Sequence, residues 1–150
     1  AAYANGTITD AEMDSVVNGF VNKEVLPTYK DLKEKNTALC AAVRDFYNNP
    51  SDATFETACD AWLVARTPWE QSEAFLFGPV DILGLDPNMD SWPLDQVAIV
   101  NILNSGNFDD LNWEDGDTED EISSSQEVRG FHTLEFLLFK DGNPRTVSAQ

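Results

Sequence analysis

The chain has 150 residues, 42% of them apolar and 11% aromatic, enough to bury one core of ordinary domain size. Its 27 acids against 9 lysines and arginines leave a formal charge of -18, a field that repels phosphate backbones and counts against nucleic acid as a partner. No apolar run reaches the roughly 18 residues of a membrane span, and Ala1-Ala2-Tyr3 lacks the basic and apolar regions of a signal peptide, so a soluble chain with any export signal removed is expected.

From Thr9 to Tyr47 the apolar residues, among them Met13, Val16, Val17, Phe20, Leu32, Leu39 and Phe46, recur mostly at three- and four-residue spacing, which predicts one long amphipathic helix. Thr9 followed by Glu12 fits a capping box at its start, and Pro27 inside it predicts a kink or a division. After Asn48-Asn49-Pro50 a second helix is expected from Ser51, with Phe55, Ala58, Trp62 and Ala65 as its buried stripe. This hairpin puts Cys40 and Cys59 roughly level and facing one interior. Two readings stay open there: two small core residues, or a disulfide if the helices approach to within roughly 7 Å between Cα atoms.

Thr67, Pro68 and Glu70 match an N-cap, an N1 proline and an N3 acid, so a new helical segment is expected to start there and to end at Gly78-Pro79. Residues 80–92, rich in Pro, Gly, Asp and Asn, read as a structured loop. Leu94, Val97, Ala98, Ile99, Ile102 and Leu103 then predict a third helix closed by Gly106.

Between Asp109 and Glu121 lie eight acids and little that is apolar, which reads as a solvated loop. Calcium is the alternative, but no register ending on Gly116 meets the EF-hand pattern. A last helix is expected over Ser125 to Phe139, ended by Asp141-Gly142-Asn143-Pro144. The fold class is all-α, an up-and-down helical bundle of about four main helices, two of them kinked or broken at proline.

The chemistry concentrates in two places. Phe131 to Phe139 is apolar at nearly every position except His132 and Glu135, and a helix apolar all round is normally buried. Both residues are therefore expected to be buried and to share a polar cluster with at least one of Arg66, Glu70 and Glu73. Three residues apart, they point at the same space, and imidazole with carboxylate suits zinc or iron; a hydrogen-bonded pair that positions a helix fits the same spacing. Arg66, Glu70 and Glu73 share one helix face; Glu70 already has the capping role, while Glu73 has none. Trp62 and Trp69, one heptad apart, read as core packing more than as a binding platform. No nucleophile elbow, phosphate loop or Cys-His pair occurs.

Gly130-Phe131-His132-Thr133-Leu134-Glu135 resembles the Gly-x-His-x-x-Glu signature of the imelysin family. The stretch Trp62 to Pro79, including Arg66-Thr67-Pro68-Trp69-Glu70-Gln71-Ser72-Glu73, resembles that family's second characteristic segment, with Trp92-Pro93-Leu94 between the two. The resemblance extends from about Val16 to Arg145. It implies two bundle-like helical halves with a site between them, of which residues 1–150 would form the first.

It further implies a bacterial protein, periplasmic or held on the envelope as a lipoprotein, and associated with iron uptake. His132 and Glu135 stand at the metal positions, Glu70 and Glu73 are the catalytic candidates, and Arg66 and Trp69 support them. The leading expectation is a non-catalytic binder of a metal, iron or zinc, or of a metal-linked ligand. The alternatives are a metallopeptidase that holds zinc with the same pair, and a non-catalytic interaction module. A site left incomplete by this half would be completed by the missing C-terminal half or by another copy of the chain.

Overall fold

The computed structural model describes residues 8–112, 123 and 125–147. Most of the acidic stretch, and with it the calcium reading, lies outside the described residues.

Thr9 caps helix α1 (Asp10–Phe20) as expected: its hydroxyl accepts from the Glu12 amide, and the Glu12 carboxylate accepts from the Thr9 amide at 2.9 Å. The predicted division before Pro27 takes the form of a π-helical turn, Val21–Val25, which leads into α2 (Leu26–Asn48). Proline has no amide to donate, and a wider turn just ahead of it absorbs the interruption. Ser51 caps α3 (Asp52–Ser72) through a reciprocal pair with Thr54.

The short link between α2 and α3 folds one helix back along the other. Leu32 and Leu39 of α2 meet Phe55, Cys59, Trp62, Ala65 and Trp69 of α3 in the core, joined by Phe131 and Leu138. Cys40 departs from expectation. Cys59 is buried, but Cys40 is exposed, and both are free thiols. Leu32 and Leu39 set the inner face of α2, and the next residue points about 100° away around a helix of 3.6 residues per turn.

The break expected at Pro68 is also absent. α3 runs through it, and Thr67 donates back to the Leu63 carbonyl at 3.4 Å instead of capping a new segment. The carbonyl that loses its donor belongs to Val64, an exposed residue, so water can stand in for the missing amide, while Pro68 itself is buried in good packing. The helix ends at Ser72, followed by a 3-10 turn, Glu73–Phe75.

Residues 80–92 are more regular than a loop. They include two short helices, α4 (Pro79–Ile82) and α5 (Leu85–Asp90). Helix α6 (Gln96–Ser105), capped by the Asp95 side chain, closes at left-handed Gly106 as expected. The last helix, α7 (Phe131–Leu138), is shorter than expected, because Arg129 is extended and Gly130 holds φ 93°. It passes into a hairpin, β1 (Phe139–Lys140) with β2 (Asn143–Pro144), turned by Asp141 and Gly142, both at positive φ.

Candidate metal centre

Gly130 explains how α7 reaches its place. A Cβ there would lie 2.4 Å from the Met89 carbonyl oxygen, so only glycine lets the start of α7 touch the end of α5. The Trp62 indole donates to the Phe131 carbonyl at 3.1 Å, and Trp69 stacks on the Phe131 ring. These contacts put His132 directly beside Asp90.

Asp90 is the hub of the cluster. Its side chain is only 7% exposed, accepts from Arg66 and from the Trp69 indole at 2.8 Å, and lies 3.3 Å from His132 Nε2. A carboxylate at a helix C-terminus opposes the helix dipole and, once desolvated, needs such donors. Arg66 turns its other edge to Glu70, Nε to Oε1 2.5 Å, and lies over the Phe131 ring. Oxygens of Glu70, Glu73 and Asp90 all lie within 4.8 Å of one another, a group able to hold a cation. Asp90 is the least available of the three, since both of its oxygens already accept bonds; Glu73 is exposed and the freest.

His132 and Glu135 thus share a polar cluster with at least one of Arg66, Glu70 and Glu73, as expected, since Asp90 joins His132 to Arg66, but the burial differs from expectation. Glu135 is exposed, its side chain 51% accessible, and is not buried as expected; His132 is partly buried. An eight-residue helix hides only Phe131, Thr133 and Leu138 completely, and the side bearing Glu135 opens onto a groove. Apolar composition misled here because the helix is covered on one side only. Trp62 and Trp69 are core residues, as read from the sequence.

His132 Nδ1 lies 3.3 Å from Glu135 Oε2, while Nε2 faces Asp90 at the same distance. A neutral imidazole carries one N–H. With the proton on Nδ1 the ring donates to Glu135; with it on Nε2, facing Asp90, Nδ1 turns a lone pair toward the Glu135 carboxylate, and a cation between them would satisfy both. Asp90, Asp86 and Trp92 were missed in sequence. Asp90 and Asp86 stood in a stretch read as loop, and Trp92, within ring contact of His132 at 5.1 Å, gave no signal beyond its place in the Trp92-Pro93-Leu94 segment. Burial, and secondarily the charge of Asp90, raises the Asp86 carboxyl above its ordinary range.

An all-helical body in which a Gly-x-His-x-x-Glu helix start is locked onto a buried aspartate by arginine and tryptophan defines the class. The imelysin family model matches residues 25–149, and the chain belongs to the imelysin family. It is 34% identical over 138 residues to iron-regulated protein A of Synechococcus elongatus, covering 91% of this chain and 35% of that protein. Among solved structures it is similar to an imelysin peptidase from Bacteroides ovatus, with 65% identity, a TM-score of 0.86, and 93% of this chain and 40% of that one covered. It is also similar to a protein of Parabacteroides distasonis described as an iron-regulated protein A precursor, with 45% identity, a TM-score of 0.89, and all of this chain but 40% of that one covered. The chain therefore spans well under half the length of these relatives.

Proposed function

We propose that the chain belongs to an envelope protein that binds a metal, iron foremost, in connection with iron uptake. His132 Nδ1 and Glu135 are the ligands, and Glu73, which lines the same groove beside Glu70 and Asp90, is an uncommitted carboxylate. One observation carries the reading: an imidazole nitrogen facing a carboxylate oxygen at 3.3 Å, with the other ring nitrogen turned to a buried aspartate. This is the outer-partner arrangement that fixes a ligating histidine. Two or three ligands leave positions open, to be filled by the remainder of a longer protein, by another copy of the chain, or by the ligand itself.

Export to the periplasm or envelope is supported by the relative described as a precursor; among the described residues no helix is long and apolar enough to cross a membrane. The name of the Bacteroides ovatus relative favours a second reading, a zinc peptidase in which the same pair would hold zinc, the metal would supply an activated water, and Glu73, with Glu70 held by Arg66, would serve as general base. Elemental analysis of chelator-free protein, with His132→Ala beside it, tests the first reading: stoichiometric metal lost in the variant at unchanged helical content is expected, and equal metal in both overturns it. Peptide cleavage abolished by chelator would establish the second.

A further inference from the structure

The groove is far larger than an ion needs. Its volume is about 1230 Å³, beyond the roughly 300–1,000 Å³ of ordinary small-molecule sites. Its lining combines aromatic side chains, Trp62, Trp92 and Phe136, with acidic ones, Glu73, Asp86 and Glu135. Trp92 is 70% exposed in this chain and lies within ring contact of His132. Asp86 is partly buried and makes no hydrogen bond or ion pair with any described residue. Such a carboxylate bears a desolvation cost with no partner to offset it, which a cationic ligand would relieve.

We infer that this groove takes an organic cation, an ammonium or guanidinium group carried on an apolar chain, with Asp86 as the charge partner and Trp92 as the aromatic platform. The inference rests on reading the groove as the ligand site of the metal centre. A cation over a tryptophan face and beside a carboxylate gains from both at once, and the apolar carrier removes exposed aromatic surface from water. Arg66 does not compete for Asp86, because its two edges are held by Asp90 and Glu70. The same cationic chemistry is found on a basic side chain of a peptide and in a free polyamine.

The test is calorimetric titration of metal-free protein, backed by tryptophan fluorescence. The probes are an end-blocked Leu-Arg-Leu peptide, the same peptide with neutral citrulline, and spermidine. The expected result is binding of the arginine peptide at least tenfold tighter than the citrulline peptide, with at least a tenfold loss in Asp86→Asn and in Trp92→Ala. Both positions are accessible enough for the variants to fold, which their circular dichroism checks. Spermidine binding as well as the arginine peptide assigns the cation to a free amine, and weaker binding assigns it to a peptide. Equal affinity for the arginine and citrulline peptides, or no change in Asp86→Asn, overturns the inference. Iron titrated in parallel separates the two readings: retained metal without peptide binding removes only the organic ligand.

Discussion

α3 has a dry half and a wet half, and the two are built differently. Phe55, Cys59 and Ala65 are buried against α2 with no charged group among them. One turn later Arg66, Glu70 and the following Glu73 carry charge toward Asp90 and the groove, while Trp69 serves both, its ring in the core and its indole nitrogen on Asp90. The dry half depends on volume alone, whereas the wet half depends on the placement of one buried carboxylate. A change in the dry half should therefore alter stability without altering the site, and a change in the wet half should alter both.

Phe55→Ala gives the largest expected effect on the dry side. Its ring is buried and packs edge-on against Phe46, so truncation should cost about 3–5 kcal/mol in urea unfolding. Metal bound per folded molecule should stay the same. A drop in stoichiometry under folding conditions would show that the two halves are not separable.

Gly130→Ala strikes the join between α5 and α7. A side chain at φ 93° costs about 1–3 kcal/mol, and the contact with the Met89 carbonyl adds an overpacking cost of about 1–3 kcal/mol. Because α7 must shift to relieve it, metal affinity should fall more than stability alone explains. A variant of parental stability and affinity would mean that the close approach does not position His132.

These two positions also show what could be read before the fold was known. Phe55, Ala58, Trp62 and Ala65 were legible because a helix face buried in apolar surroundings imprints its period on the sequence. The caps at Thr9 and Ser51 and the stop at Gly106 are local, and so were legible too. Asp90 was not: its importance comes from Arg66, Trp69 and His132, which lie 24, 21 and 42 residues away in the chain and meet it only in space. Pro68 misled for the opposite reason, since a strong local signal for a helix start yielded to the packing of a continuous α3.

Asp90→Asn should cost less, about 1–3 kcal/mol, because it keeps the shape and the Trp69 acceptor but removes the charge facing Arg66. The amide can also turn its NH₂ toward His132 Nε2, which would move the ring proton to Nδ1 and occupy the nitrogen offered to the metal. Metal affinity should fall, and the histidine ring nitrogens should exchange roles in nitrogen NMR. An unchanged ring pattern with full affinity would free Asp90 of any positioning role.

Asp86→Asn has the smallest expected effect and the opposite sign. In the folded chain burial, and then the neighbouring Asp90 charge, raises the Asp86 carboxyl, so the folded state holds that proton more tightly than the unfolded state does. The stability tied to the bound proton is present below the unfolded value of about 3.9 and is lost as pH rises through the higher folded value. At neutral pH the ionised Asp86 is therefore a small burden, and Asn should relieve it by less than about 0.5 kcal/mol, since solvent still reaches the group. The variant's urea midpoint should exceed the parent's at pH 7, and the gap should close below about pH 4. A ligand cation seated on Asp86 should narrow the same gap at pH 7 by stabilising only the parent. A parent more stable than the variant across the whole range would mean that Asp86 already has its cation within the folded chain.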